Sequence, residues 1–198
     1  MRWDRWIKAT AMGLCGCLLL SLCGFQAECE RIADSVLRLH ILANSDSDED
    51  QALKYKVRDA VLEETEALLS EADDKGEALA AAQTLLPTVR KAAEDCLRRN
   101  GCDDAVDVEL CRMYFNTRRY ETGVMPAGYY QAVRVRLGEA AGRNWWCVLF
   151  PPMCVGSAEE LPDGVFNEAQ EDIVTHPERY EVRFKLVEWF YDVCRWFS

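Results

Sequence analysis

Between Leu37 and Val61 the sequence reads LRLHILANSDSDEDQALKYKVRDAV, and the spacing of its apolar residues changes period part-way through. Leu37, Leu39 and Ile41 alternate with Arg38 and His40, a period of two that predicts a strand with one buried face and one half-exposed face. From Asp48 the apolar positions Leu53, Val57, Ala60, Val61 and Leu68 recur at helical spacing, so a strand must hand over to a helix within a few residues. The junction carries Asp46, Asp48 and Asp50, spaced like the first ligands of a calcium loop. Such a loop also needs glycine at its sixth position and a bidentate glutamate at its twelfth. Gln51 and Val57 stand there, so the spacing predicts a helix start rather than a metal site. Ser47 is placed to cap the helix, with Asp50 reaching back to complete a capping box. The carboxylates lie in the first turn, where the helix dipole favours anions, and Asp50 and Lys54 form an i,i+4 pair. That reading leaves the Ala43-Asn44 turn without a reason.

The rest of the chain reads as α+β. Leu79, Ala82, Leu85 and Leu86 give a helix over about 75–85, and Pro87 starts a second over about 87–99, stopped by Asn100-Gly101. AVDVELCRMYF and YYQAVRVRLGE alternate as strands and NWWCVLF is a short, nearly all-apolar strand, with turns at MPAG and at EAAGRN, the latter of hairpin length. RYEVRFKLVEWFYDVCRWF puts Val182, Leu186, Trp189 or Phe190 and Val193 on one helical stripe, although Val182-Phe184-Leu186 also fits a strand start. The expectation is an antiparallel sheet of about four strands packed with two to three helices plus a C-terminal helix.

At the N-terminus MRWDRWIK is cationic, and ATAMGLCGCLLLSLCGFQA is apolar and ends in Ala27. This is the layout of an export signal over 1–27, with 28–198 as a single exported domain; the run is also long enough for an uncleaved anchor. Lipidation at Cys23 is disfavoured by the bulk of Leu22 before it. The net charge of −11 becomes more negative without the signal, which argues against nucleic acid and against electrostatic docking on anionic lipid. Seven cysteines lie beyond the signal, an odd number that leaves at least one unpaired or shared with a partner, and no C-x-x-C is present.

Catalytic signatures are missing: no G-x-S-x-G, no H-E-x-x-H and no glycine-rich phosphate loop. His40 or His176 with Cys147 could build a nucleophile and base, but nothing in the sequence fixes their distance. His40 reads as structural. No cofactor, metal or small-molecule substrate is expected. In NWWCVLFPPMC, alternation puts Trp145 and Trp146 on opposite faces, one inward and one outward, so strand core and interaction patch are both open.

LRLHILANSDSDEDQALKYKVRDAV, MPAGYYQAVRVRLGE and GRNWWCVLFPPMC, followed by YEVRFKLVEW, together resemble the stage II sporulation protein R family of endospore-forming bacteria. His40 departs from the arginine-like residue of that pattern, and Cys29, Cys96, Cys102, Cys111 and Cys194 are additional to it. The resemblance implies a signalling protein rather than an enzyme, exported from the forespore into the space between the two sporulation membranes. There it would activate a membrane-embedded aspartic protease that processes the precursor of sigma factor E, touching membrane only through its N-terminal segment. It further implies a Cys147–Cys154 disulfide. The candidate partner-binding set is Asn44, Asp46, Asp50, Asn144, Trp145, Trp146, Pro151 and Pro152. An exported cell-wall hydrolase or wall-binding module is the rival reading.

Overall fold

The computed structural model describes residues 3–69, 72, 74–120, 122–151 and 164–197. Its first helix, α1 (Trp3–Asp34), leads into β1 (Leu37–Leu42), and the helices α2 (Asp48–Leu69) and α3 (Lys75–Arg99) follow. Next come β2 (Val106–Phe115), a short ribbon of β3 (Arg118–Tyr120) and β4 (Gly123–Met125), β5 (Gly128–Leu137) and β6 (Asn144–Phe150). The chain closes with α4 (Glu168–Thr175), a 3-10 turn and α5 (Glu181–Trp196).

The main sheet has the order β2-β5-β1-β6 and is mixed: β1 runs parallel to β5 and antiparallel to β6. This corrects the expectation of a purely antiparallel sheet, and the EAAGRN turn does not close a hairpin. β5 and β6 flank β1 instead of pairing with each other. The reason is burial. A strand covered on both faces belongs in the middle of a sheet, and Leu37 to Ile41 is buried at every position.

Two cores result. Beneath the sheet, Leu37, Leu39, Ile41, Val133, Val135 and Cys147 meet Val57 and Val61 of α2 and the inner face of α3. Above it, Tyr130, Ala132, Val148 and Phe115 meet the end of α1, α4, α5 and β4.

Two helices differ from expectation. Residues 75–99 form one helix with Pro87 inside it. The proline removes a hydrogen bond at a cost of about 3 kcal/mol. Ala78, Ala82, Leu85, Val89, Ala93, Cys96 and Leu97 form a buried stripe running across it, and their burial outweighs that loss. The Asn100-Gly101 stop is where expected, with Gly101 at φ 74°. In α5 the buried face is Phe184, Val187 and Tyr191. The stripe that periodicity picks out is on the other side and largely exposed: Val182, Leu186, Trp189 (66%), Phe190 and, beyond it, Trp196 (81%).

The apolar N-terminus is helical and does not end at Ala27. α1 continues to Asp34, and Phe25 is only 5% exposed, stacked on Tyr180 at 5.4 Å and tilted against Phe184 at 5.5 Å. Over Trp6–Asp34 the helix is long and apolar enough to cross a membrane.

Candidate functional site

The turn after β1 is a latch. Asn44 Oδ1 accepts from the Glu139 amide at 2.9 Å, and its backbone carbonyl accepts from Ala141 at 3.0 Å. Asp46 Oδ1 accepts from the Arg143 amide at 2.7 Å, while Ala43 O takes the Gly142 amide at 3.0 Å. The β5–β6 loop is thereby tied to the start of α2 over nearly its whole length. Two glycines permit the close approach. Gly138 has φ 55° and lies where any Cβ would overlap the Asn44 side chain; a Cβ on Gly142 would overlap the Ser45 carbonyl. Ala140 sits at φ 53°, a left-handed conformation that costs an L-residue about 1–2 kcal/mol and that the latch holds in place.

Asn44 therefore answers to the loop as well as to the helix. Ser47 caps α2 as expected, its Oγ accepting from the Asp50 amide at 3.2 Å. The return half of the capping box is replaced: the Asp50 carboxylate accepts from Ser45 Oγ at 2.6 Å and from Asn44 Nδ2 at 3.0 Å. Those bonds, Ser45 foremost, hold its carboxyl below the usual range. Nor does Lys54 pair with Asp50. It is buried and donates to Gln51 Oε1 at 2.7 Å and to the Arg143 carbonyl at 3.1 Å, adding a bond across the latch. Among the described residues no group of three His, Cys, Asp or Glu side chains is arranged around a metal position.

What the latch positions is β6. On the upper face, Trp146 stacks on His40 with ring centroids 3.9 Å apart and planes 5° from parallel, its edge against Phe115 at 4.9 Å. His40 Nε2 is hydrogen-bonded to Asn144 Oδ1 at 2.7 Å, so the imidazole bridges the two β6 residues. It is 4% exposed, not half-exposed as its alternation with Leu39 and Ile41 suggested. Burial, reinforced by the charges of Arg134 and Arg38, holds its pKa down to about 4 despite the Asn144 bond. On the lower face, Trp145 packs between Tyr55, at 5.5 Å, and the Arg58 guanidinium, at 4.7 Å. Both tryptophans are half-buried, each against a different core, because the sheet is covered on both sides. The expected outward and inward pair is absent.

Cys147 lies fully buried in the lower core, across the sheet from His40, which rules out a Cys147–His40 pair. His176 is at the surface end of α4 with Asp172 at 3.2 Å. Cys29, Cys96, Cys102 and Cys111 are free thiols, and Cys147 is not among them. Pro151 is buried behind a cis peptide bond, whereas Pro152 and Cys154 lie outside the described residues.

Sequence reasoning missed Arg38. It is 0% exposed, with its guanidinium 4.1 Å from the Phe115 ring centre, 4.8 Å from Tyr130 and 5.7 Å from Tyr120, and it donates to the Tyr120 hydroxyl. The only hint was a cation interleaved in an otherwise apolar strand; its direct partners on β5 and β6 are the small residues Ala132 and Val148, and the rings around it come from Phe115, Tyr130 and Tyr120.

A family model described as stage II sporulation protein R matches residues 33–160. A protein of Bacillus subtilis (strain 168) called stage II sporulation protein R is 35% identical over 185 residues, covering 82% of this chain and 83% of that one. No solved structure matches.

Proposed function

The chain belongs to the stage II sporulation protein R family and so has a role in sporulation; on that premise we propose that it is an exported signal that activates a membrane-embedded aspartic protease, which then processes the precursor of sigma factor E. The observation that carries this reading is the latch. Two of the sequence motifs that bear the family likeness, 37–61 and 142–154, are far apart in the chain but form one structure that fixes the position of Asn144 and Trp146. A rigidly held polar and aromatic edge suits recognition, since little ordering remains to oppose docking. Its one imidazole is neutral, buried and committed to Asn144, which favours binding over acid–base catalysis.

The deciding experiment is co-expression with the protease and its substrate. Precursor processing should depend on this chain and fall when Trp146→Ala or Asn144→Ala is introduced without loss of fold. Peptidoglycan hydrolysis by the purified protein, abolished by one substitution, would favour the wall-enzyme reading instead.

Two finer parts of the reading have their own support. Because Phe25 is built into the upper core and Gln26 donates to the Tyr191 hydroxyl, α1 serves best as a retained anchor, leaving the domain on the intermembrane side of the forespore membrane. A Cys147–Cys154 bridge would enclose six residues, worth roughly 2.5 kcal/mol by chain entropy, and would pre-organise the end of β6. Replacing both cysteines with serine should leave the domain folded while weakening activation; a fully active double variant would rule the bridge irrelevant.

A further inference from the structure

Arg38 is a buried cation that meets no carboxylate among the described residues. Its Nε and Nη1 have no acceptor among the described residues. Burying a charge without a counter-ion costs several kcal/mol, and the surrounding rings repay only part of that through cation–π attraction. In a chain with 34 acidic residues such isolation is informative. The same holds one layer out. Arg118 of β3 is exposed, its guanidinium 5.5 Å from the Trp146 ring centre, and it too meets no carboxylate among the described residues. By contrast Arg134 is paired with Glu109, Arg136 with Asp107, and Arg119 with Glu181. Arg112 and Arg183 also lack an ion pair among the described residues, each lying over aromatic rings elsewhere; Arg38 and Arg118 are set apart by flanking the His40–Trp146 stack, Arg38 with its guanidinium buried.

We propose that Arg38, Arg118 and Trp146 form a receptor for a carboxylate-bearing segment of a partner protein. The proposal rests on the protease-activation reading and supplies its recognition chemistry. Arg118 meets the acidic group first, at the surface, and Trp146 offers a flat ring held rigid from behind by His40 and Phe115. A carboxylate that passes the Tyr120 ring then reaches the donors of Arg38. The cover is slight: β3 and β4 are a ribbon of two three-residue strands outside the main sheet, a size with little stability of its own. Tyr120 at its tip can give way, and Arg38 then exchanges its bond to a neutral hydroxyl for an ion pair with a carboxylate.

The test uses the full chain in neutral detergent at constant ionic strength, titrated with tetraglutamate, tetraglutamine or inorganic phosphate, and followed by melting temperature. Tetraglutamate should raise the midpoint saturably, and tetraglutamine should not. Arg118→Gln should weaken the effect roughly tenfold, and Arg38→Met should remove it, while Arg98→Gln on α3 changes nothing. No saturable response, an equal response to phosphate alone, or a response that survives both site variants would overturn the receptor. Should Arg38→Met fail to fold, Arg118→Gln and Arg118→Glu decide by affinity. The two readings fail separately. An Arg118→Glu chain that drives precursor processing at full rate overturns the receptor and leaves activation standing. A wild-type chain that binds tetraglutamate but has no influence on processing overturns activation.

Discussion

Acid should weaken this protein through His40. The imidazole is neutral in the fold, with a pKa of about 4 against 6.5 for the free side chain, because burial under Trp146 disfavours its charged form. On unfolding it regains its ordinary affinity for protons, so the unfolded chain binds the proton first. Stability is therefore fully present above pH 6.5 and is lost as pH falls toward 4, below which both states are protonated and the loss levels off. Linkage over that interval gives about 2 kcal/mol lost between pH 7.5 and pH 5, and about 3 kcal/mol by pH 4. Carboxylates begin to titrate in the same range, so the useful quantity is the difference between wild type and His40→Gln. Urea unfolding of the full chain in detergent, followed by far-ultraviolet circular dichroism at half-unit steps, measures it. The variant is expected to be less stable at pH 7.5, through loss of the stack, yet to lose about 2 kcal/mol less on going to pH 5. Parallel pH profiles for the two proteins would refute the argument, since they would mean that the imidazole charges inside the fold at no cost.

Asn44→Ala should destabilise by about 1–3 kcal/mol, because the Glu139 amide and the Asp50 carboxylate both lose a partner, and hydrogen exchange should rise over 138–143. Gly142→Ala, which forces a methyl group against the Ser45 carbonyl, should cost about 1–3 kcal/mol by the same urea assay. Ser47→Ala should cost about 0.5–2 kcal/mol, with calcium leaving the melting temperature of wild type unchanged. In α5, Phe184→Ala should cost about 3–5 kcal/mol and Trp189→Ala less than about 0.5, a contrast that reports directly which face of the helix is buried.

The alternation that located β1, β2 and β5, and the apolar run that located β6, are properties of each strand alone, and they held. Pairing is not such a property. Nothing within LRLHIL states that it will sit between β5 and β6, and that placement is what made the sheet mixed and buried His40 and Arg38. Their cover comes from Phe115, Tyr130, the β3–β4 ribbon and Trp146, all distant in sequence. In α5 the two opposite stripes, Val182-Leu186-Trp189 and Phe184-Val187-Tyr191, are equally apolar, so periodicity names a helix but not its inner face. The Asn44 turn was marked as unexplained by local rules, and its explanation lay almost a hundred residues away, at Glu139.

The position of β1 also sets an order of events for a chain made from its N-terminus. This strand is the first to be synthesised and the last to be completed: both its neighbours, beginning at Gly128 and Asn144, arrive only when most of the chain exists. Until then an apolar ribbon with two open edges has no permanent place. Contacts of such long separation are slow to form, and unpaired edges invite association with other chains. The helical pair α2 and α3 is the local, fast-forming structure that can shield one side of it in the meantime. Assembly of this domain is thus delayed by its own connectivity, and the edge proposed for recognition, β6, comes into being in the same step that closes the sheet.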